Sequence, residues 1–199
     1  MASLSDIVQS KQSWRHTLLE QREQISETTR SEEDAAFARN VLNWTREHGV
    51  RTVCAYVPVG GEPCSTQLLD SLRGLGCRVL VPLVVARGEP LDWAEYTGES
   101  SLAPATFGLL EPTGARLGPT AIAEAEALFV PGLAVDSRGV RLGRGAGHYD
   151  RSLPLANEAA PTIVIVRDSE FVDELPGEDH DVRINAVVTP RRGVVHLPM

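Results

Sequence analysis

The sequence predicts an α/β fold in which a mainly parallel, twisted sheet lies between layers of helices, as in Rossmann-like proteins. Continuous apolar runs lie at 53–57, 79–85, 127–135 and 162–166, and such runs are typical of strands covered on both faces. Amphipathic segments separate them, notably STQLLDSLRGLG between the first two runs. Because alternating strands and helices favour a parallel sheet, we expect a three-layer sandwich forming a single domain over residues 1–199.

Two helices are predicted over residues 1–49 and are expected to pack on this domain. The first spans residues 5–25, where the spacing of apolar residues gives one stripe. Lys11 and Arg15 are four residues apart, so they share a neighbouring face and place two cations side by side. The apolar stripe consists of Ile7, Trp14, Leu18 and Ile25.

The second helix is expected to begin after Ser31, because Asp34 three residues later approximates a capping box. It is expected to end at Gly49, a residue type typical of helix C-termini. Its inward face consists of Phe37, Val41 and Trp44. We expect this face to pack against the first helix.

Further elements follow the same patterns. Residues 89–96 alternate as a strand does, whereas residues 97–120 are rich in Gly, Pro, Thr and Ala and predict a long surface connection. A helix is expected to begin inside the glycine-rich segment that contains Gly143, Gly145 and Gly147, and to run to about Asn157. The tail predicts strands at 184–189 and 194–197.

Composition narrows the classes of function. The chain has 27 acidic and 19 basic residues and a formal net charge of −8, which argues against general binding of nucleic acid or an anionic membrane. No apolar run approaches the roughly 20 residues of a membrane span, and the N-terminus lacks the pattern of a signal peptide. Cys54, Cys64 and Cys77 are odd in number and widely spaced, which suits reduced thiols in the cytoplasm.

The segment RLGRGAGHYDR, at 141–151, is unusual in an acidic chain. Alternate glycines let backbone N–H groups approach a ligand closely, and the arginines offer paired donors for phosphate oxygens. Asp150 at its end could hold Mg²⁺. The pattern matches neither of the common nucleotide-binding glycine motifs. Gly-rich turns with arginine are also common on surfaces, so this segment alone leaves binding and simple exposure equally open.

Other polar residues follow strands that should end at the same edge of the sheet. Glu62 comes after two glycines in YVPVGGEP, and His180 and Asp181 lie in EDHD. In open α/β sheets, ligands collect at the carboxyl ends of the strands. Taken singly, each of these carboxylates is more typical of a solvated loop than of a site.

Five segments in this order are informative together. They are K-x-x-x-R in the first helix, YVPVGGE, FGLLEP at 107–112, VPGLAVDSRGVRLGRGAGHYDR at 130–151, and LPGEDHD at 175–181. With them, the chain resembles the 5-formyltetrahydrofolate cyclo-ligase family over nearly its whole length. The segment at 130–151 is the most specific of the five.

The resemblance implies an enzyme that converts 5-formyltetrahydrofolate to 5,10-methenyltetrahydrofolate, using ATP and Mg²⁺ and releasing ADP and phosphate. It implies a phosphorylated formyl group, an iminophosphate, as the intermediate. ATP and 5-formyltetrahydrofolate are the expected partners, and we expect a cytoplasmic monomer.

The resemblance also implies roles for individual residues. Arg141 and Arg144 would act on the transferred phosphoryl group. Asp150 and Asp181 would be the magnesium ligands. Positions matching ATP contacts are Lys11, Arg15, Arg141, Leu142, Gly143, Arg144, Gly145, Ala146, Gly147, His148 and Tyr149. Positions matching folate contacts are Val57, Glu62, Arg144, Gly147 and His148.

Some residues depart from the family pattern. His148 replaces a frequent tyrosine, and Ala146 replaces a frequent glycine and should therefore keep a negative φ. Arg144 lies where tyrosine or a basic residue occurs. Arg167 and Glu170 replace a more usual aromatic residue and amide.

Two alternatives to the cyclo-ligase are open. A non-catalytic folate- or nucleotide-binding paralogue could keep the scaffold, although it would have less need of two metal carboxylates. An α/β sugar-phosphate isomerase or acyl-carrier enzyme would need a base or nucleophile beside the phosphate loop, and the sequence offers no convincing one.

Overall fold

The computed structural model describes residues 4–105, 108–177 and 182–198, with side chains from residue 10 onward. In this part of the chain the α-helices are α1 (Leu4–Glu23), α2 (Glu27–Glu47), α3 (Thr66–Gly74) and α4 (His148–Ser152). None of the helices described is long and apolar enough to cross a membrane.

The described strands form three sheets. The strands are β1 (Thr52–Cys54), β2 (Arg78–Leu83), β3 (Asp92–Glu95), β4 (Leu102–Pro104), β5 (Leu110–Pro112), β6 (Ala127–Pro131), β7 (Ala134–Asp136), β8 (Arg141–Leu142), β9 (Thr162–Ile165), β10 (Phe171–Val172), β11 (Ala186–Thr189) and β12 (Gly193–His196). Seven of them make the main sheet, in the order β12, β11, β9, β6, β1, β2, β3; the five inner strands are parallel and the two edge strands antiparallel.

Both faces of the main sheet are covered, as the continuous apolar runs predict. Successive side chains of a strand point to opposite faces. Val53 and Phe129 therefore lie in one core cluster with side chains of α2 and α3, whereas Leu128 and Val164 lie in a second cluster with Ile122. The second face is covered by short 3-10 segments and α4. The predicted α/β sandwich with a mainly parallel sheet is confirmed.

The start of α2 differs from the prediction. The N-cap is Ser26, whose hydroxyl accepts a hydrogen bond from the Thr29 N–H at 3.1 Å, and Glu27 supplies a negative charge to the first turn. Ser31 lies inside the helix, so the predicted cap there is wrong. Because Ser26 already caps the helix, by accepting a hydrogen bond from the Thr29 N–H, no cap is needed at Ser31.

The two N-terminal helices have different apolar partners, whereas the sequence pattern predicts that they pack together. From α1, Leu18 is buried against Leu133 and Leu142 near the small sheets. From α2, Phe37 and Val41 are buried in the main core. The first helix is therefore placed beside the segment that precedes the glycine-rich loop.

The apolar run at 127–135 is two strands rather than one. It breaks after Pro131, and a Cβ at Gly132 would lie 2.8 Å from Cγ1 of Val164, so only glycine fits there. After the break, β7 leaves the main sheet and joins β8 and β10 in a separate three-stranded sheet. The glycine-rich loop is therefore presented by this smaller sheet.

Two other segments differ from the prediction: one contains strands that were not predicted, and the other has a shorter helix. The connection at 97–120 contains the antiparallel pair β4 and β5. The helix expected to reach Asn157 ends at Ser152 and continues as a 3-10 turn over Leu153–Leu155, because Pro154 lacks the N–H that an α-helix needs. The three cysteines are free, in agreement with the prediction of reduced thiols, and all three are buried.

Candidate active site

The glycine loop, defined here as residues 143–147, connects β8 to α4 and lies at the carboxyl edge of the main sheet. Arg141, just before it, donates to the carbonyl of Pro131 at the end of β6, with 3.2 Å between Nη1 and oxygen. Arg144, within it, reaches the segment that follows β1. The loop therefore lies where the sequence predicts a ligand site.

The first helix contacts the glycine loop directly. Nε of Arg15 donates to the carbonyl of Gly143 at 2.9 Å. A Cβ at Gly145, where φ is +96°, would lie only 3.3 Å from the guanidinium carbon of Arg15. The positive φ therefore favours glycine at this position, and the guanidinium of Arg15 leaves little room for a side chain. Lys11 lies one turn earlier on the same helix and is half-buried.

Arg144 connects the glycine loop to Glu62. Its Nε is 2.9 Å from Oε1 of Glu62, and its Nη2 donates to the carbonyl of Val59 at 3.2 Å. The Glu62 side chain is only 7% exposed, whereas that of Arg144 is 46% exposed. A position matching ATP contacts and one matching folate contacts are therefore in hydrogen-bond contact.

Arg141 is buried beneath the start of α4. Its side chain is 5% exposed, its Nη2 is 2.7 Å from Oδ1 of Asp150, and its guanidinium carbon lies 5.5 Å from the ring centre of Tyr149. Burial raises the pKa of Tyr149, although the cation of Arg141 opposes the shift. The phenol is therefore neutral at physiological pH and can act as a hydrogen-bond donor.

The other residues near the end of the loop make local contacts. Arg151 folds back, and its Nη1 donates to the carbonyls of Gly147 at 2.6 Å and Ala146 at 3.2 Å. Nδ1 of His148 is 3.2 Å from the carbonyl oxygen of Glu89. Ala146 is not among the residues with positive φ, as expected, whereas Gly147 has a φ of +71°.

Two predicted contact residues can offer only their backbone to a ligand. Leu142 is buried in a cluster with Leu18 and Leu133, and its carbonyl accepts a hydrogen bond from the Leu133 N–H at 2.7 Å. Val57 is buried in the main core. Contacts of their side chains with a substrate would require the core to open.

Asp150 fits a magnesium ligand in chemistry and exposure. Its side chain is 57% exposed, and one oxygen is bound to Arg141. Magnesium in such sites takes one or two carboxylates and completes its shell with substrate phosphates and water. Among the residues described, no group of three or more His, Cys, Asp or Glu could hold a metal ion without such help. The second predicted ligand, Asp181, and its neighbour His180 lie outside the described residues.

Four charged side chains pair beside this site, and sequence reasoning did not predict the pairing, although it singled out Arg167 and Glu170 as departures from the family pattern. Arg22 and Glu170 are 2% and 3% exposed and form an ion pair, and Arg167 pairs with Glu33. One signal was available, since Arg22 follows Arg15 by seven residues and therefore lies on nearly the same face of α1. Nothing in the sequence pattern marks the other three as partners.

The fold and the site define a class of protein: an α/β enzyme with arginines, a glycine-rich backbone and a nearly buried glutamate at the carboxyl edge of its sheet, suited to anionic substrates. The model of the 5-formyltetrahydrofolate cyclo-ligase family matches residues 7–190. The chain therefore belongs to this family and is an enzyme.

Individual relatives agree with this assignment. A 5-formyltetrahydrofolate cyclo-ligase from Mycolicibacterium smegmatis is 48% identical over 194 residues, which cover 94% of this chain and 97% of the relative. The NMR structure of 5,10-methenyltetrahydrofolate synthetase from Aquifex aeolicus matches with a TM-score of 0.75 at 24% identity, covering 95% and 93% of the two chains. The synthetase from Mycoplasma pneumoniae gives 0.71 at 20% identity, covering 89% and 96%. The two structures show that the fold is shared.

Proposed function

We propose that this enzyme closes 5-formyltetrahydrofolate to 5,10-methenyltetrahydrofolate at the expense of ATP, with Mg²⁺ as cofactor. Family membership supports the reaction, and the Arg144–Glu62 contact is the observation on which the assignment of the site depends. This contact joins the loop proposed to bind ATP to the residue proposed to bind folate. Both substrates would then meet at Arg144.

The reaction needs ATP because the formyl group on N5 is an amide. Resonance makes its carbon a poor electrophile for N10. Transfer of the γ-phosphoryl group from ATP to the formyl oxygen gives an iminophosphate and ADP. N10 attacks the activated carbon and loses its proton to solvent, and departure of phosphate, which takes the former formyl oxygen, then gives the methenyl bridge. The enzyme must therefore hold two anions in line and stabilise charge as it moves.

The residues of the site suit these tasks. Lys11, Arg15 and the backbone N–H groups of the glycine loop would bind ATP phosphates, and Arg144 would stabilise charge on the migrating phosphoryl group. Glu62 would accept hydrogen bonds from N–H groups of the pterin ring. Mg²⁺, held by Asp150 and Asp181, would offset charge on the phosphates. No covalent nucleophile on the protein is required.

A direct assay tests the proposal. Purified enzyme is mixed with 5-formyltetrahydrofolate, ATP and Mg²⁺, and the methenyl product is followed by its absorbance, with reactions lacking ATP or metal as controls. We expect product only in the complete mixture. Folate binding without product under any divalent metal would favour the non-catalytic binding protein instead. The monomeric state and the cytoplasmic location stay predictions.

A further inference from the structure

Glu62 is presented by a loop that has little structure of its own. We define the Glu62 loop as residues 58–64, PVGGEPC. Within it, Oε2 of Glu62 accepts from the Val59 N–H at 3.0 Å, and the Glu62 N–H donates to the Val59 carbonyl at 3.2 Å. Cys64 has a φ of +72°, the one positive φ outside glycine among the described residues. A conformation of this kind persists only when its surroundings hold it.

Contacts from outside hold both halves of the Glu62 loop. Nη1 of Arg167 donates to the carbonyl of Gly61 at 3.1 Å. The N–H of Cys64 donates to Oδ1 of Asp34 at 2.9 Å. Gly61 lies against α1, where an added Cβ would be 3.2 Å from Cβ of Arg22. The loop therefore rests on α1 and is tied to α2 and to the end of β9.

Arg167, which binds the Gly61 carbonyl, is itself fixed by two carboxylates. Its side chain is 4% exposed, and its Nε is 2.7 Å from Oε2 of Glu33. Its backbone N–H donates to Oε2 of Glu170 at 2.8 Å. Because the backbone N–H and the Nε of Arg167 are both bound, its guanidinium is held in place beside the Glu62 loop.

Glu170 is fixed in turn by Arg22 of α1. The two side chains form a forked pair, with Nε–Oε1 at 2.6 Å and Nη2–Oε2 at 2.9 Å. Nη2 of Arg22 also donates to the carbonyl of Gly132 at 2.7 Å, at the break from which β7 leaves the main sheet. The same four charges therefore contact the Glu62 loop, the helix that bears Arg15 and the chain leading to the glycine loop.

Stability alone is a poor explanation for these charges. Arg22, Arg167 and Glu170 are nearly buried. Removing such charges from water costs free energy that ion pairing only partly offsets, and apolar replacements are often as stable. Forked pairs between guanidinium and carboxylate groups do fix geometry, because both partners are planar and bind in one orientation. Such a network therefore fixes the positions of the segments that it contacts.

We propose that Arg22, Glu33, Arg167 and Glu170 are positioning residues that hold the Glu62 loop in the conformation that binds folate. The inference rests on the proposed function, in which Glu62 contacts the pterin. Loosening the pair of Glu33 and Arg167 would then weaken folate binding more than ATP binding, because Arg167 donates directly to the Glu62 loop, whereas the network reaches the segments proposed to bind ATP through Arg22.

The test uses Glu33→Gln, which keeps the shape of the side chain and removes the charge that orients Arg167. Glu33 is the most exposed of the four, at 22%, so this variant is the least disturbing to the fold. We expect the KM for 5-formyltetrahydrofolate to rise roughly tenfold, as for one weakened hydrogen bond to a charged group. The KM for ATP should change less than twofold. Glu32→Gln is the control, since it removes an equal charge from an exposed neighbour on α2.

Two further measurements separate failure of this inference from failure of the proposed function. Amide hydrogen exchange of the Glu62 loop should accelerate in Glu33→Gln and not in Glu32→Gln, whether or not the enzyme turns over. Calorimetry with 5-formyltetrahydrofolate should show the same weakening in Kd if turnover is absent. Arg167→Lys, which keeps the charge and loses the guanidinium that binds Glu33 and the Gly61 carbonyl together, should give an intermediate effect. Unchanged loop exchange, or equal rises in both KM values, would overturn the positioning role.

Discussion

The arginines of the glycine-rich segment differ in what they can offer a substrate. Arg141 is nearly buried and bound to Asp150 and to the carbonyl of Pro131. Arg151 is bound to carbonyls of the loop itself. Arg144 is half-exposed, and its partner is the nearly buried Glu62. Of these three, Arg144 is therefore the one that we expect to meet a phosphoryl group, and we expect Arg141 to orient Asp150.

Replacing Arg144 by alanine tests this assignment. We expect Arg144→Ala to lower kcat/KM by about 10- to 100-fold, because a charged donor near the transferred group is lost. Arg144→Lys should recover part of the activity, since it keeps the charge without the planar fork. The measurement is steady-state kinetics with each substrate varied. Unchanged kinetics in Arg144→Ala would place this side chain in solvent during turnover.

Asp150 gives a prediction in which activity and stability separate. Asp150→Asn should lower turnover at least 100-fold and raise the Mg²⁺ concentration needed for half-maximal activity, because an amide is a weaker ligand for a hard cation. The Asp150 carboxylate of the ion pair with Arg141 is largely exposed. The free energy of unfolding, measured by denaturant titration, should therefore fall by only about 1 kcal/mol.

The control for Asp150 is Glu158→Gln, which removes one exposed carboxylate outside the site. It should leave both the turnover and the magnesium dependence as they are in the parent enzyme. If Asp150→Asn lost stability and activity in parallel, its role would be structural and the metal assignment would be contradicted.

At the scale of elements, the sequence predicts what depends on local pattern. Apolar runs predict the inner strands of the main sheet, and the four-residue spacing of Lys11 and Arg15 places two cations on α1. The break at Gly132 was missed because it depends on contact with Val164, which is distant in sequence. Partners such as Glu62 for Arg144 could not be predicted for the same reason. The order of motifs indicates where a site lies, whereas only the fold shows which charges meet.

The turn between β7 and β8 depends on Asp136, which is fully buried. Its Oδ1 accepts the backbone N–H groups of Arg138 and Val140 at 2.9 Å each, and its Oδ2 accepts that of Leu175 at 3.1 Å. Burial raises the pKa of Asp136, but these bonds and the guanidinium of Arg138 outweigh burial, so the pKa lies below its usual value. One carboxylate thus fixes the turn that leads to the glycine loop.

Asp136→Asn should reduce the free energy of unfolding by about 2–4 kcal/mol at pH 7, since an amide cannot accept at both ends. A lowered pKa in the folded state contributes stability above the unfolded pKa of about 3.9 and loses it as pH falls through the folded value. The difference between variant and parent should therefore shrink in acid. Denaturant titrations at several pH values measure it.

Asp173→Asn is the matched control, because Asp173 is an exposed carboxylate close to the same turn. It should change the free energy of unfolding by less than about 0.5 kcal/mol at every pH. A loss in Asp136→Asn that does not depend on pH would mean that packing, rather than the ionised carboxylate, stabilises the turn.

For the whole molecule, the site joins segments that are far apart in the chain. Arg15 and Gly143 are 128 residues apart, and Glu62 and Arg144 are 82 residues apart. The net charge of −8 opposes the approach of anions at long range, so binding must come from these local cations and backbone donors. A bound nucleotide would contact α1 and the glycine loop together. Nucleotide binding should therefore stabilise the whole folded domain against unfolding.

Thermal unfolding with ATP and Mg²⁺ tests this coupling. At ATP equal to 100 times its Kd, the folded state gains about 2.7 kcal/mol, which raises Tm by roughly 5–10 °C for a chain of this length. Arg15→Ala should show a clearly smaller rise at the same ATP concentration, because the variant binds the phosphates more weakly. His16→Ala, an exposed neighbour on α1, should keep the full rise. Equal rises in Arg15→Ala and the parent would show that α1 does not contact the nucleotide, and the Arg15–Gly143 contact would then serve the fold alone.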